Sequence, residues 1–225
     1  MYKYETHCHT SETSACGHLT AYETIKAYKK AGFSGVCITD HYRADVWEFL
    51  LEGITVKQKV HSYFSGIRAA REAGDEFGID IIAGMELTFT EYPFDYLVYG
   101  ITEDFLLENP FIFNLKKEQF GKIARENGFL FAQAHPFRPG VIAAGPDVIE
   151  GFEVLNGNPR HFSDNAGAYK YAKEQGFVML SGSDCHQSED IGIAGIILES
   201  RVTTANEFIK ETRKKMHRHI ILKTE

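Results

Sequence analysis

Two histidines stand one residue apart near the start of the chain, in ETHCHTSE: His7 and His9. In extended backbone, residues i and i+2 point the same way, so both imidazoles face one side and Cys8 the other. The same spacing recurs in GSDCH, where Asp184 and His186 flank Cys185. Other apolar runs also stop at metal-ligand types. GVCIT ends at Asp40 and His41, IDIIAGM at Glu86, and FLFAQA at His135. Imidazole and carboxylate donors in this mixture suit zinc, manganese or iron. A glutamate such as Glu86 can bridge two ions, as hydrolytic two-metal sites require. A single strand-end histidine is usually structural or a cap. So many titratable groups, buried at five strand ends without an ion, would cost several kcal/mol in unpaired polar groups.

The elements that must position these residues alternate in type. Strands are expected at 2–6, in GVCITDH, IDIIAGME, FDYLVYGI, FLFAQAH, GFEVLN, FVMLSGSD and IAGIILE. Helices are expected at 20–32, with Thr20 as N-cap, Glu23 three residues on and Gly32 at the end. Further helices are expected at 56–78, 114–127, 164–175 and 203–214, before a last apolar run, HIILK. Strand–helix alternation with continuous apolar strands predicts a parallel sheet covered by helices, in one domain over 1–225. In such folds the active site lies at the carboxyl ends of the strands, so these distant residues would converge. Periodicity alone does not separate a barrel from an open sheet.

Composition narrows the function classes. The chain has 225 residues, 44% hydrophobic and 24% charged, enough to bury roughly 70% of its unfolded surface. The net charge of −7 argues against general nucleic-acid binding, which needs a basic surface. Four cysteines, Cys8, Cys16, Cys37 and Cys185, form no C-x-x-C pair. Free thiols fit a reducing cytoplasm. The start, MYKYETHCH, lacks a signal-peptide pattern, and no apolar run approaches the ~20 residues that span a bilayer. The expectation is a soluble cytoplasmic protein without a membrane partner.

Taken in order, ETHCHTSE, ITDHY, AGMELTF, AHPFRPG and GSDCH resemble the motifs of the PHP family (polymerase and histidinol phosphatase domains), metal-dependent phosphoesterases. The resemblance covers most of the chain. It implies a distorted TIM-like barrel of seven strands and seven helices, mostly parallel, with two or three divalent ions at the carboxyl ends of the strands. It implies His7, His9, Glu86 and Asp184 around one ion. Glu86 would bridge to a second ion held also by His135, and His41 and His186 would hold a third. Two positions depart from the pattern. Relatives carry aspartate or histidine near the position of Ala15, which cannot ligate; His18, in ACGHL, is close enough to substitute. Relatives often carry a histidine five residues before the glycine of FDYLVYG. Here it is Asp95, which suits manganese or iron, or else caps a turn at the strand start.

The implied reaction is hydrolysis of a phosphate ester on a small organic phosphate, with a short oligonucleotide left open. Asp184 would serve as ligand and water-orienting group, and His186 or His41 would protonate the leaving alkoxide if the third site is empty. Asp40 would orient a ligand rather than bind metal. Arg138, Arg160 with His161, and Arg43 are candidates for the substrate phosphate. Asn156 is a candidate for positioning water or substrate. Each of these also reads as a solvated loop residue. His61, His217, His219 and the apolar cluster around Trp47 read as ordinary packing, although a lid role for the last is open. The rivals are a PHP scaffold with a decayed metal site, a protein-tyrosine phosphatase of the same family, and an amidohydrolase. The amidohydrolase would expect a carboxylated lysine at the position of Glu86. Oligomeric state is open.

Overall fold

The structure is a computed structural model that describes residues 1–221. Ten strands form one sheet: β1 (Tyr2–Cys8), β2 (Gly35–Ile38), β3 (His41–Tyr42), β4 (Asp80–Thr88), β5 (Asp95–Tyr99), β6 (Leu130–Gln133), β7 (Gly151–Asn156), β8 (Val178–Gly182), β9 (Ala194–Leu198) and β10 (Arg218–Ile221). Their order is β10-β9-β1-β2-β4-β5-β6-β7-β8, with β3 beside β4. The α-helices are α1 (Ala21–Lys30), α2 (Val56–Tyr63), α3 (Ser65–Phe77), α4 (Glu103–Glu108), α5 (Lys117–Asn127), α6 (Asn165–Gln175) and α7 (Ala205–Arg213). Of the apolar run HIILK, the residues after Ile221 lie outside the described part of the chain.

The sheet curls until β8 meets β1, giving a nearly closed, mostly parallel barrel. The seam is a bridge between Cys8 and Cys185. His9 N–H donates to Cys185 O at 2.9 Å, and Cys185 N–H to His7 O at 3.1 Å. The buried Glu5 carboxylate adds a stitch, accepting from Ser183 N–H at 2.9 Å and from Tyr28 O–H at 2.8 Å. Gly182 permits this approach, since a Cβ there would lie 2.5 Å from the His7 Cβ. Inside the barrel, Tyr4, Ile82, Leu97, Tyr99, Leu130 and Leu180 pack together, with Phe208 and Ile209 of α7 in the same cluster. A larger apolar layer forms beyond the sheet.

Three features differ from the sequence expectation. First, β5 runs antiparallel to both β4 and β6. Only residues 89–94 join β4 to β5, and a parallel crossover needs a dozen or more. The reversal puts Asp95, the first residue of β5, at the same end as the strand ends carrying the other ligand types. Second, β1 pairs antiparallel with β9, which pairs antiparallel with β10. Third, the helix expected over 56–78 is two helices broken at Phe64. The Thr13 hydroxyl fills the break, donating to Tyr63 O at 3.1 Å and accepting from Gly66 N–H at 3.3 Å. His61 is exposed on α2 and pairs with Glu103. His217 bonds Met179 O and His219 pairs with Ser181 Oγ, so both lie along β8.

The break presses α3 against the loop that carries the site. A Cβ on Gly66 would lie 2.3 Å from Thr10 Oγ1 and 2.7 Å from Asp40 Oδ2, two groups already bonded to each other. Gly66→Ala should therefore destabilise the protein by about 1–3 kcal/mol through overpacking, although alanine favours a helix interior by up to about 1 kcal/mol. Urea unfolding of both proteins measures the sign.

Candidate metal centre

Alternation along the strands aims the donors. On β4, Ile82 lies in the barrel interior and Glu86, four residues on, shares its face. On β5, Asp95 shares the inner face of Leu97 and Tyr99. β1 is irregular: its pairing with β2 shifts register between Glu5 and Cys8. Tyr4 faces the interior, and strict alternation would place Cys8 there too. The shift instead turns His7 inward and leaves Cys8 in the outer apolar layer with Cys185. His135 and Asp184 follow β6 and β8 with φ of 29° and 52°, a left-handed backbone that costs non-glycine residues of order 1–3 kcal/mol each. Residues 184–186 are thus not extended, and His186 reaches the site by a turn, with its Nδ1 2.8 Å from Asp184 O.

Glu86 is the hub. Its Oε1 lies 3.2 Å from His7 Nε2 and 3.2 Å from His135 Nε2. Its Oε2 lies 3.2 Å from His9 Nε2 and 3.0 Å from His41 Nδ1. His7 Nε2 and His9 Nε2 are 3.2 Å apart. Asp184 Oδ1 completes the group at 3.5 and 3.6 Å from those two nitrogens. Asp95 Oδ2 is 3.6 Å from His135 Nε2, while its Oδ1 accepts from Thr88 Oγ1 at 2.5 Å. Asp95 thus turns one oxygen toward the cluster and the other toward the Thr88 side chain. Donors at ~2.1 Å from a zinc-like ion sit about 3.4 Å from one another, so this set fits divalent metal. The buried Nδ1 atom of His135 has no hydrogen-bond partner in the protein.

Groups behind the donors fix their tautomers. Glu153, a lone charge in the apolar run GFEVLN, is 3.0 Å from His7 Nδ1 and accepts from His135 N–H at 2.7 Å. This directs the His7 Nε2 lone pair to the cluster. Asp40 accepts from Thr10 N–H and from the Ser14 hydroxyl, each at 2.7 Å. Ser14 Oγ is 3.3 Å from His9 Nδ1 and accepts from His41 N–H at 3.0 Å. Asp40 therefore acts on His9 and His41 through Ser14. Sequence reasoning missed Glu153 and Ser14. The signal for Glu153 was its charge in an otherwise apolar strand; Ser14 carried none.

Electrostatics divide the histidines. Burial opposes protonation of His7, but Glu86, Asp184 and Glu153 outweigh it and raise the imidazole well above its ordinary value. His9 is raised to about 9, its hydrogen bonds to Asp184 and Glu86 overcoming burial. His135 is raised as well, chiefly by Glu86 against burial. Burial alone would raise Glu86 and Asp184, yet His7 above all holds both carboxyls well below the usual range. Burial dominates at His41 and His186, which fall to about 3 and about 4. Neutral imidazoles are ligands rather than proton donors at pH 7, and a nearby cation lowers them further. Burial thus works against the proton-donor role expected of His41 or His186.

The remaining candidates separate clearly. Arg138 Nη2 donates to Asp184 Oδ2 at 2.5 Å and to Asn156 Oδ1 at 3.2 Å. Asn156 Nδ2 also reaches Asp184 Oδ2 at 3.2 Å, so both residues belong to the site. Arg160 does not. It forms a bidentate pair, at 2.7 and 2.6 Å, with the fully buried Asp190. Asp190 also accepts from His186 N–H, so Arg160 anchors a loop and is spent as a phosphate ligand. Arg43 pairs with Asp45 at 2.8 Å and is half-exposed. His18 is exposed, its backbone N–H tied to His186 O at 2.7 Å. It belongs to no grouping of metal-type donors among the described residues, whereas Cys16, two residues earlier, lies with His9, His41 and His186. The loop turns between them, so Cys16 and not His18 stands beside these imidazoles. Burial pushes the Cys16 thiol up to about 11.

The nearly closed barrel gathers this cluster at the carboxyl ends of its strands. The profile of the PHP domain matches residues 5–221, and the chain belongs to the PHP domain family. Among solved structures it is similar to a two-domain protein from Bacteroides vulgatus ATCC 8482 containing a "predicted PHP-like metal-dependent phosphoesterase". The TM-score is 0.70 at 16% identity over 98% of this chain. The chain spans 64% of that protein's length. It is also similar to PsfC from Pseudomonas syringae PB-5123 (TM-score 0.63, 20% identity, 98% of this chain and 91% of that one). An amidohydrolase from Chromobacterium violaceum with bound sulfate and no metal matches with a TM-score of 0.57 at 16% identity, over 84% of this chain and 89% of that one. At these identities the likeness is one of fold. No curated protein sequence matches. Among the described residues, no helix is long and apolar enough to cross a membrane.

The His9 shift has a measurable sign. In the metal-free chain His9 binds a proton more tightly folded, at about 9, than at its ordinary 6.5. That contribution to stability is fully present below about 6.5 and is lost as pH rises through about 9. Thermal unfolding of chelator-treated protein should show this alkaline loss. His9→Gln should flatten it, and metal loading should remove it, since the ion takes the place of the proton.

Proposed function

We propose that the chain hydrolyses the phosphate ester of a small organic molecule, using two or three divalent ions (zinc, manganese or iron). His7, His9, Glu86 and Asp184 would hold the first, with Glu86 shared toward His135 and Asp95. The carrying observation is the Glu86 carboxylate, both of whose oxygens lie within 3.2 Å of two imidazole nitrogens each. Bound there, the ions would supply Lewis acidity to the phosphoryl oxygens and lower the pKa of water.

The chain's own groups do the rest. Arg138 stands beside Asp184 with guanidinium donors left over for a phosphate oxygen, the bidentate recognition for which arginine is suited. Asp184, held ionised, turns one oxygen to the cluster and the other to Arg138 and Asn156. It is thereby placed to orient water and substrate together. Glu86 occupies the position where an amidohydrolase would need a carboxylated lysine, which favours phosphate chemistry. The filled ligand positions favour catalysis over a decayed scaffold domain.

Elemental analysis of protein purified without chelators is the first test. Wild type should carry two to three transition-metal ions per chain and His9→Ala markedly fewer. A wild type that stays empty after incubation with manganese, zinc and ferrous iron would sink this reading and leave a scaffold. Once an active ester is found, Arg138→Ala should raise KM about 10- to 100-fold, the loss of a charge-assisted hydrogen bond. Arg160→Ala should instead lower the melting temperature and leave KM near wild type. Equal effects on KM would contradict the separate roles given to the two arginines.

A further inference from the structure

Beside the Glu86 hub lies a donor group with no carboxylate in it. One donor atom each from His9, Cys16, His41 and His186 lies within 4.8 Å of all the others. The rings are packed together, with His9 centroids 4.5 Å from His41 and 4.4 Å from His186. His41 is 9% exposed, and its Nδ1 lies 3.0 Å from Glu86 Oε2. The loop holding Cys16 is tied on both sides. Ser14 N–H donates to Thr10 O at 2.9 Å, Gly17 N–H to Ser14 O at 2.9 Å, and His18 N–H to His186 O at 2.7 Å. Cys16 is half-buried, unlike Cys8, Cys37 and Cys185, which are all buried.

Resting on the ion-holding reading above, we propose that Cys16 is a thiolate ligand completing a site with His41 and His186, whose rings pack against His9. On binding, the sulfur–metal bond forms as the thiol proton leaves to solvent. A soft sulfur among imidazoles favours zinc or ferrous iron over manganese and magnesium, whose preference is for oxygen. The two parts of the cluster then differ in chemistry: carboxylate oxygens dominate the side of Glu86, Asp95 and Asp184, and the Cys16 side adds a soft sulfur.

Cobalt(II) tests this by its spectrum, apart from any activity. Wild type titrated with cobalt should show ligand-field bands together with a near-ultraviolet sulfur-to-cobalt charge-transfer band. Cys16→Ser should lose that band and bind one cobalt fewer. Cys16→Asp should regain the cobalt without the band and shift metal preference toward manganese. Cobalt uptake by wild type without the sulfur band, or a band that survives in Cys16→Ser, overturns the assignment and leaves the Glu86 cluster standing. A wild type that takes up no cobalt overturns both.

Discussion

One carboxylate organises this molecule. Glu86 is 1% exposed, and a carboxylate at such depth is costly unless it is paired on every side. Four histidines from three separate segments supply the partners: His7, His9, His41 and His135. Each of those segments must end at the same height for the pairing to exist. The parallel alignment of β1, β2 and β4 brings the first strand ends together, and the reversal of β5 adds Asp95 to the same rim.

The scaffold carries strain to achieve this. His135 and Asp184 hold left-handed backbone, and the barrel seam needs a glycine at 182 to let β8 approach His7. Buried carboxylates offset the cost. Glu5 closes the seam through the Ser183 N–H, and Glu153 clamps the strained His135 backbone and the His7 ring together. Structure and chemistry thus share residues: the same carboxylate that secures a strained turn also sets a tautomer.

Charge is divided across the site with equal economy. The carboxylates raise His7, His9 and His135 against the effect of burial, and a bound ion would take the place of a proton there. His41 and His186 stay neutral because burial prevails there. Arg138 and Arg160 show the same contrast among cations. Their sequence contexts, HPFRPG and NPRHF, look equally loop-like, yet one faces Asp184 and the other is consumed by Asp190.

The sequence by itself determined the strand–helix alternation, the ends at which ligand-type residues sit, and the resemblance that names the family. These are local properties: apolar runs, caps and residue types at run ends. It did not determine the direction of β5, because direction depends on connection length read against a partner strand. It paired His7 with His9 correctly, but the face they share follows from the register shift in β1, which only the neighbouring strand imposes. Ser14 and Glu153 support the imidazoles, and Cys16 rather than His18 lies among them, because a loop between tied ends turns its side chains by tertiary contact and not by spacing. The fate of each arginine likewise rested on which buried carboxylate the fold brought within reach, a matter of three-dimensional proximity that no local pattern encodes.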